Sequence, residues 1–152
     1  MMKLLDLSSL LKVVLAVILG ANNVSSENTQ VYDICHGSRS NNVRISASSR
    51  PFLIRSPNFG QVDYYNRAIC SLILWAGDSP VKLSFTFRYF QLESSRWCRY
   101  DALCVDGRLF CGNTAAGQVV VHTIPANRKS TIRFQTNNVN TDYGFDVRNC
   151  HQ

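Results

Sequence analysis

Residues Val81 to Gly107 read VKLSFTFRYFQLESSRWCRYDALCVDG, and they carry the clearest structural pattern in the chain. From Val81 to Arg88, apolar residues alternate strictly with polar ones. A period of two is typical of a β-strand with one buried face and one solvated face. A polar loop, Glu93 to Arg96, leads into Trp97-Cys98-Arg99-Tyr100-Asp101, and a second short strand then ends at the turn signal Asp106-Gly107. The segment therefore predicts a strand, a polar and aromatic loop, a second strand and a turn.

The sequence on both sides of this segment also predicts short strands separated by turns. Cys70, Leu72 and Leu74 alternate with their neighbours before the turn cluster Gly77 to Pro80, and Ser56 to Gly60 is another turn cluster. Further short apolar runs follow Gly107, at residues 119–124, 131–134 and 144–147. No stretch after residue 26 has a convincing apolar period of 3.6 residues. Many short strands at roughly even spacing favour an all-β sandwich.

Length and the N-terminal residues set the domain organisation. A chain of 152 residues is long enough for one domain with a substantial core. Residues 1–26 have a weakly basic start, the apolar run Val13 to Ala21 and small polar residues after it, which predicts a secretory signal peptide. A retained signal anchor is the alternative, although the run is shorter than the roughly 20 residues that cross a bilayer. We expect an N-terminal extension at residues 27–34, a single domain at residues 35–152, no transmembrane segment and secretion.

The charge of the chain restricts its partners only weakly. The formal net charge is +6, and the basic residues are scattered, with no run longer than Arg128-Lys129. An ordinary basic secreted surface explains this pattern, and binding to a heparin-like polymer or an anionic lipid is the alternative. No nucleic-acid-binding motif is present, so we expect no nucleic-acid partner.

Several motifs of this chain, in their order and spacing, resemble the CUB domain family. The resemblance covers nearly all of the sequence from Cys35 to Val147, and it implies a jelly-roll type β-sandwich of two antiparallel sheets. The chain departs from the family pattern at Phe59-Gly60, where the family often has Tyr and Pro, and at Leu72, where it usually has Trp. The matching residues are Cys35, Ile54 to Gly60, Cys70, Leu72, Leu74, Leu83 to Phe85, Phe90 to Glu93, Cys98 to Asp101, Asp106-Gly107, Cys111-Gly112, Ile132 to Phe134 and Gly144-Phe145.

Six cysteines in so short a secreted chain indicate disulfides. The resemblance implies the bridges Cys35–Cys70 and Cys98–Cys111, which leaves Cys104 and Cys150. Period-two reasoning places both remaining side chains on outward faces, so we expect a third bridge, Cys104–Cys150, if their strands are neighbours. The alternative, in which Cys98, Cys104 and Cys111 bind zinc, matches no common zinc-site spacing.

The resemblance also implies a calcium site. Many CUB domains hold one ion between loops, and the matching positions here are Glu93, Asp101 and Asn137. Asn137 stands where the family has Asp, and an amide oxygen binds calcium without contributing charge, so a weakened site is expected. In the alternative interpretation, Glu93 and Asp101 bond loop amides or pair with Arg96 or Arg99.

Catalytic motifs are weak in this sequence. Gly77-Asp78-Ser79 is similar to the nucleophile segment of trypsin-like proteases, but Pro80 follows where the oxyanion loop needs glycine. There is no Gly-x-Ser-x-Gly motif, and no histidine lies in a motif that would orient it as a base. We therefore expect that the protein is not an enzyme.

Partner binding is the function that these patterns favour. Arg96, Trp97, Arg99, Tyr64 and Tyr65 are residue types that dominate interfaces, and all five fall in predicted loops. Trp97 has an alternative role in shielding the neighbouring disulfide.

Tyr100, by contrast, is expected in the interior. We expect the loop from Glu93 to Arg99, with Asn137 to Asp142 nearby, to form the partner surface.

Two uses of such a surface fit the sequence. The first is a secreted interaction module that binds an extracellular protein or glycan, with possible help from calcium. The second is a secreted effector that binds a glycosaminoglycan, a glycan or an anionic membrane, because small single-CUB proteins resemble components of arthropod venoms and secretions and the spermadhesins of seminal fluid. The oligomeric state is not readable from the sequence.

Overall fold

Ten β-strands and one 3₁₀ turn form the part of the chain that the structure describes, which is residues 29–36, 40–113 and 115–151 of a computed structural model. The predicted signal peptide, residues 1–26, lies outside these residues. No helix among the described residues has the length and apolar character needed to cross a bilayer. The 3₁₀ turn is Arg96–Cys98, and the strands are β1 (Gln30–Asp33), β2 (Ser40–Ile45), β3 (Phe52–Arg55), β4 (Ile69–Ala76), β5 (Val81–Gln91), β6 (Ala102–Val105), β7 (Arg108–Phe110), β8 (Val119–Ile124), β9 (Lys129–Gln135) and β10 (Gly144–His151).

The strands form two five-stranded sheets that pack face to face. Sheet A has the order β1-β3-β10-β5-β8, and sheet B has the order β2-β4-β9-β6-β7. Most pairs are antiparallel, whereas the edge strands β1 and β2 pair in parallel with β3 and β4. The predicted all-β sandwich is therefore confirmed.

Strand β5 lies inside sheet A and supplies a large share of the core. Val81, Leu83, Phe85 and Phe87 are all buried, as their alternation predicts. The alternation ends at Arg88 because β10 has a register shift there: Asp146 lies opposite Tyr89 and Val147 lies opposite Phe87. Such a bulge adds one residue to one strand and turns the following side chains to the other face. Phe90 is therefore buried although it lies three residues after Phe87.

Two of the three expected disulfides are present. Cys35–Cys70 and Cys98–Cys111 are bonded, with Cα–Cα distances of 5.1 and 5.4 Å. The expected bridge Cys104–Cys150 is wrong, because both of these cysteines are free. Cys104 lies on β6 of sheet B and Cys150 lies on β10 of sheet A. Both side chains point outward, but the outward faces of two packed sheets point in opposite directions.

The segment expected as an N-terminal extension contributes to the sandwich. Its residues 30–33 form β1, and Val31 lies opposite Leu53 of β3. Ile34 follows directly and is fully buried in the core. Burial of a side chain of this size contributes about 1.5–3 kcal/mol, so the extension is part of the folded unit.

Candidate functional site

Three loops meet at one end of the sandwich, and we call this surface the loop end. They are residues 63–68 before β4, residues 92–101 between β5 and β6, and residues 136–143 between β9 and β10. Backbone hydrogen bonds join the first and third loops: the Tyr64 N–H donates to the Asp142 carbonyl over 3.1 Å, and the Arg67 N–H donates to the Asn137 carbonyl over 2.6 Å. The loops are therefore held as one surface rather than as three independent segments.

The three residues expected as metal ligands lie together at the loop end. The Asn137 backbone N–H donates to Asp101 Oδ1 over 2.8 Å, and its side-chain amide donates to Glu93 Oε2 over 2.8 Å. Asp101 is fully buried, while Glu93 is partly exposed. One of the two alternatives weighed from the sequence, hydrogen bonding of these carboxylates to loop amides, is thus present in the structure.

Tyr64 is buried beneath these carboxylates. Its hydroxyl donates to Asp101 Oδ2 over 2.6 Å and accepts the Glu93 backbone N–H over 3.0 Å. The expectation that Tyr64 is exposed for partner binding is therefore wrong, since only 1% of the residue is accessible. Nothing in the pair Tyr64-Tyr65 distinguishes an inward tyrosine from an outward one, because the loop has no regular period. Tyr65 is the exposed member of the pair.

Burial sets the electrostatics of this cluster. Desolvation raises the pKa of the Asp101 carboxyl, and the nearby charge of Glu93 raises it further. The hydrogen bonds from Tyr64 and from the Asn137 backbone act in the opposite direction because they stabilise the carboxylate. Burial also raises the pKa of the Tyr64 hydroxyl, which therefore remains a hydrogen-bond donor. A buried carboxylate beside a second carboxylate is a position that favours a cation.

Asn140 is a member of the cluster that the sequence did not single out. Its amide donates to Glu93 Oε1 over 2.6 Å, so each carboxylate oxygen of Glu93 accepts one asparagine N–H. The only sequence signal for it is the asparagine-rich run Asn137-Asn138-Val139-Asn140. A hollow of about 360 Å³ opens beside Glu93 and is lined by Tyr100 and the same asparagine run.

The donor set fits a weakly bound calcium ion better than a tightly bound one. No group of three or more His, Cys, Asp or Glu side chains among the described residues is arranged to hold a metal. Two carboxylates are present, and the oxygen of Asn137 accepts the Val139 N–H over 2.7 Å. Calcium prefers six to eight oxygens, and its affinity follows the number of carboxylates. The open hollow leaves room for water to supply the missing ligands.

Arg96, Trp97 and Arg99 lie on the exposed side of the loop end. Trp97 is 71% exposed, and the Arg96 guanidinium lies 5.6 Å from the centre of its ring. Neither arginine forms an ion pair with a carboxylate among the described residues, so the second alternative for Glu93 and Asp101 is absent there. Tyr100 is also exposed, and the expectation of an interior position for it is wrong.

The backbone of the Arg96–Cys98 turn explains why Trp97 projects outward. Trp97 has φ 61° and Cys98 has φ 48°, both in the left-handed region that non-glycine residues rarely adopt. The Cys98 N–H donates to the Ser95 carbonyl over 3.2 Å, and the disulfide ties Cys98 to Cys111. Backbone strain of this kind, held in place by its surroundings, often occurs at functional sites.

The histidines do not form a catalytic arrangement among the described residues. His122 Nδ1 lies 3.0 Å from Asp106 Oδ1, and its Nε2 is buried without a hydrogen-bond partner. A nucleophile activated by His122 would have to approach that nitrogen, and no serine, threonine or cysteine of the described chain bonds to it.

Comparison with known proteins points to one family. The sequence profile of the CUB domain matches residues 41–149. No curated protein sequence matches the chain. The match agrees with the fold and with the pairing of the first two disulfides.

Solved structures with CUB domains resemble this chain. The extracellular region of zebrafish Gpr126/Adgrg6 is 22% identical with a TM-score of 0.58 over 74% of this chain, and the CUB1-EGF-CUB2 domain of human MASP-1/3 is 18% identical with a TM-score of 0.57 over 76%. The MASP-1 CUB2 domain bound to Ca²⁺ is 19% identical with a TM-score of 0.52 over 72%. This chain covers 15%, 43% and 96% of those three chains, respectively. At these identities the likeness shows the shared fold.

Proposed function

Since this chain belongs to the CUB domain family, we propose that it is a secreted, non-enzymatic binding module whose loop end contacts an extracellular protein. The observation that carries this proposal is the exposed Arg96-Trp97 pair, which projects from a strained turn beside the partly buried carboxylates Glu93 and Asp101. Secretion rests on the leader predicted at residues 1–26 and on two disulfides, which persist in oxidising compartments.

The loop end has the composition and stiffness of a protein-binding surface. Trp97, Arg96, Tyr100 and Tyr65 are exposed there, and tryptophan, tyrosine and arginine are the residues most often dominant in interfaces. The Cys98–Cys111 bridge and the cross-loop hydrogen bonds fix their backbone. Binding on a preformed surface loses less conformational entropy than binding that must first order a loop.

Calcium assistance is the second part of the proposal. One of the similar solved structures is a CUB domain bound to Ca²⁺. In this chain, Glu93, Asp101 and Asn137 would hold the ion, and its charge would offset the cost of the buried Asp101 carboxylate. With two carboxylates in the set, we expect weak binding, at about 10⁻⁴–10⁻³ M, as in other extracellular modules.

A capture experiment tests the proposed surface. The wild-type protein and the variant Arg96→Ala/Trp97→Ala are immobilised, and the amount of each protein captured from the native extracellular fluid is measured with calcium and with a chelator. We expect the variant to lose about thirtyfold or more in affinity for the captured partner, as expected for loss of a dominant interface pair of about 2 kcal/mol.

Arg44→Ala/Trp75→Ala is the matched control, because it removes the same two residue types from the outer face of sheet B. Equal capture by wild type and by the Arg96/Trp97 variant would refute the loop end as the protein-binding surface. Equal losses in both double variants would instead show that the effect is not specific to the loop end.

A further inference from the structure

The outer face of sheet B is a regular array of cations and one aromatic ring. The strand registers place Arg44, Trp75 and Lys129 in one row across β2, β4 and β9. Two residues further along β9, Thr131 lies in a row with Ile73 and Asn42. The next row contains Leu109, Cys104, Arg133 and Ser71. Because alternate residues of a strand share a face, all of these positions lie on one outer surface.

This face has no carboxylate. The outward positions of all three rows carry no Asp or Glu among the described residues, and Arg44, Lys129 and Arg133 are exposed without an ion pair. The outer face of sheet A differs, because Asp146 there lies 3.4 Å from Arg55 and 3.7 Å from Arg88. The positive charge of the molecule is thus neutralised in part on one face and left unpaired on the other.

Trp75 and the cations around it are held in a defined arrangement. The ring is 39% exposed, Lys129 Nζ lies 5.7 Å from its centre, and its indole N–H points to Asn42 Oδ1 at 3.5 Å. Arg44 and Lys129 flank Trp75 from the two neighbouring strands, which puts them about 10 Å apart at the usual strand spacing. Arg133 lies four residues beyond Lys129 along β9, at about 13 Å.

Two shallow hollows mark the same face. The larger, of about 350 Å³, is lined by Asn42, Arg44 and Trp75. The smaller, of about 130 Å³, is lined by Arg133, Gln135, Cys104, Leu109 and Ala102. Each hollow therefore has an arginine at its border.

We propose that the outer face of sheet B binds a sulfated polysaccharide, with a sugar ring stacked on Trp75 and with sulfate groups on Arg44, Lys129 and Arg133. Arginine binds the oxygens of such anionic groups through paired, charge-assisted hydrogen bonds. Hydroxyl and amide side chains between the cations, at Thr131, Asn42 and Ser71, suit a hydroxyl-rich polymer.

A sulfated polymer fits this face better than an anionic membrane does. Membrane-binding surfaces insert apolar side chains past the headgroups. Trp75 instead lies against the sheet between two cations and an asparagine, so its ring face is available but its edge does not project. This inference does not depend on the proposed protein-binding loop end.

Binding of a heparin oligosaccharide of defined length tests the proposal. In 0.15 M NaCl, the variant Arg44→Gln/Lys129→Gln/Arg133→Gln should bind about tenfold more weakly than wild type or less, and raising the salt should weaken wild-type binding because screening shortens the reach of exposed charges. Trp75→Ala should also weaken binding, while Trp75→Phe should retain most of it. A calcium chelator should have no effect, which separates this site from the loop end.

The matched control is Lys82→Gln/Arg88→Gln/Arg148→Gln, which removes the same charge from exposed positions of sheet A. It should change the affinity for heparin by less than about twofold. Equal weakening by both triple variants would overturn the proposal, because net charge alone would then explain binding. Tight binding to vesicles of phosphatidylserine and phosphatidylcholine, without binding to heparin, would overturn it in favour of a membrane. The single variant Arg133→Gln provides the same comparison if a triple variant does not fold.

Discussion

At the residue scale, the candidate site depends on one buried hydroxyl. Tyr64 accepts the backbone N–H of Glu93 and donates to Asp101, so a single side chain positions both carboxylates. Its ring also packs edge-on against Phe134 in the core, with ring centres 5.5 Å apart. The site is therefore anchored to the sandwich through Tyr64, and changes at this residue should affect both stability and binding.

Removal of the Tyr64 hydroxyl should destabilise the protein. Tyr64→Phe leaves Asp101 Oδ2 and the Glu93 N–H without their partner, and an unsatisfied buried polar group costs about 1–3 kcal/mol. Tyr65→Phe is the matched control, because Tyr65 is 46% exposed, and it should change stability by less than about 0.5 kcal/mol. Urea denaturation measures both free energies of unfolding. Equal values for the two variants would contradict the role assigned to Tyr64.

Gly144 is required where β10 begins beside the site. It has φ +94°, and a Cβ at this position would overlap Ser56 Oγ, which accepts the Phe145 backbone N–H over 3.0 Å. Gly144→Ala should therefore destabilise the protein by about 2 kcal/mol or more. Gly107→Ala, with φ +75° and no atom near the added Cβ, should cost only the backbone strain of about 1 kcal/mol. Thermal unfolding of the two variants compares these costs, and a smaller loss for Gly144→Ala than for Gly107→Ala would be the contrary result.

At the element scale, the strand, loop and strand from Val81 to Val105 connect the core to the loop end. Strand β5 is buried on one face and ends in the loop that carries Glu93, and β6 begins directly after Asp101. The Cys98–Cys111 bridge closes the intervening loop against the segment after β7. The turn Arg96–Cys98 can therefore keep a left-handed backbone that an unrestrained loop would avoid.

The strain at Trp97 should separate stability from binding. Trp97→Gly places a residue that tolerates a positive φ at this position and removes a largely exposed ring, so we expect the free energy of unfolding to stay equal or to rise by up to about 1 kcal/mol. The same change should abolish most of the affinity for a protein partner at the loop end. Denaturation and capture of the partner are measured on the same preparation. Marked destabilisation would show that the ring stabilises the fold instead.

Much of this architecture could be predicted from the sequence because strands leave a local pattern. The alternation in β5 predicted its buried face, and the spacing of the family motifs predicted both disulfides that are present. The bridge Cys104–Cys150 failed because a period of two shows which side chains face outward but not which sheet contains them. Tyr64 and Asn140 lie in loops without a period, so their contacts with Asp101 and Glu93 depend on tertiary structure that the local sequence does not encode.

At the scale of the whole molecule, three regions of the sandwich have distinct physical character. The loop end holds buried acid and exposed aromatic residues, and the outer face of sheet B holds unpaired cations around Trp75. A third region, inside sheet A away from the loops, contains Asn149 and His151, whose buried side-chain nitrogens and oxygen have no hydrogen-bond partner. Protonation of His151 should therefore disturb the fold without involving either proposed binding surface.

Stability should fall in mild acid because of His151. Burial lowers the pKa of His151 in the folded state below its ordinary value of 6.5. A group with a lowered folded-state pKa contributes its full stability above the ordinary value, and the contribution is lost as the pH falls through the lowered pKa. Urea denaturation between pH 7.5 and pH 5 should show this loss in wild type and a smaller loss in His151→Leu. The control His36→Leu changes an exposed histidine and should keep the wild-type slope, whereas identical slopes in all three proteins would exclude His151 as the cause.

The central claim is that Glu93 and Asp101 make the loop end a cation-assisted binding surface, and calorimetric titration with Ca²⁺ tests it most directly. Glu93→Gln is the variant of choice, because Glu93 is partly exposed and an amide can keep a hydrogen bond at this position. We predict binding to wild type at about 10⁻⁴–10⁻³ M and at least about tenfold weaker binding to Glu93→Gln. No heat of binding to wild type at millimolar Ca²⁺, or equal binding to both proteins, would contradict the account.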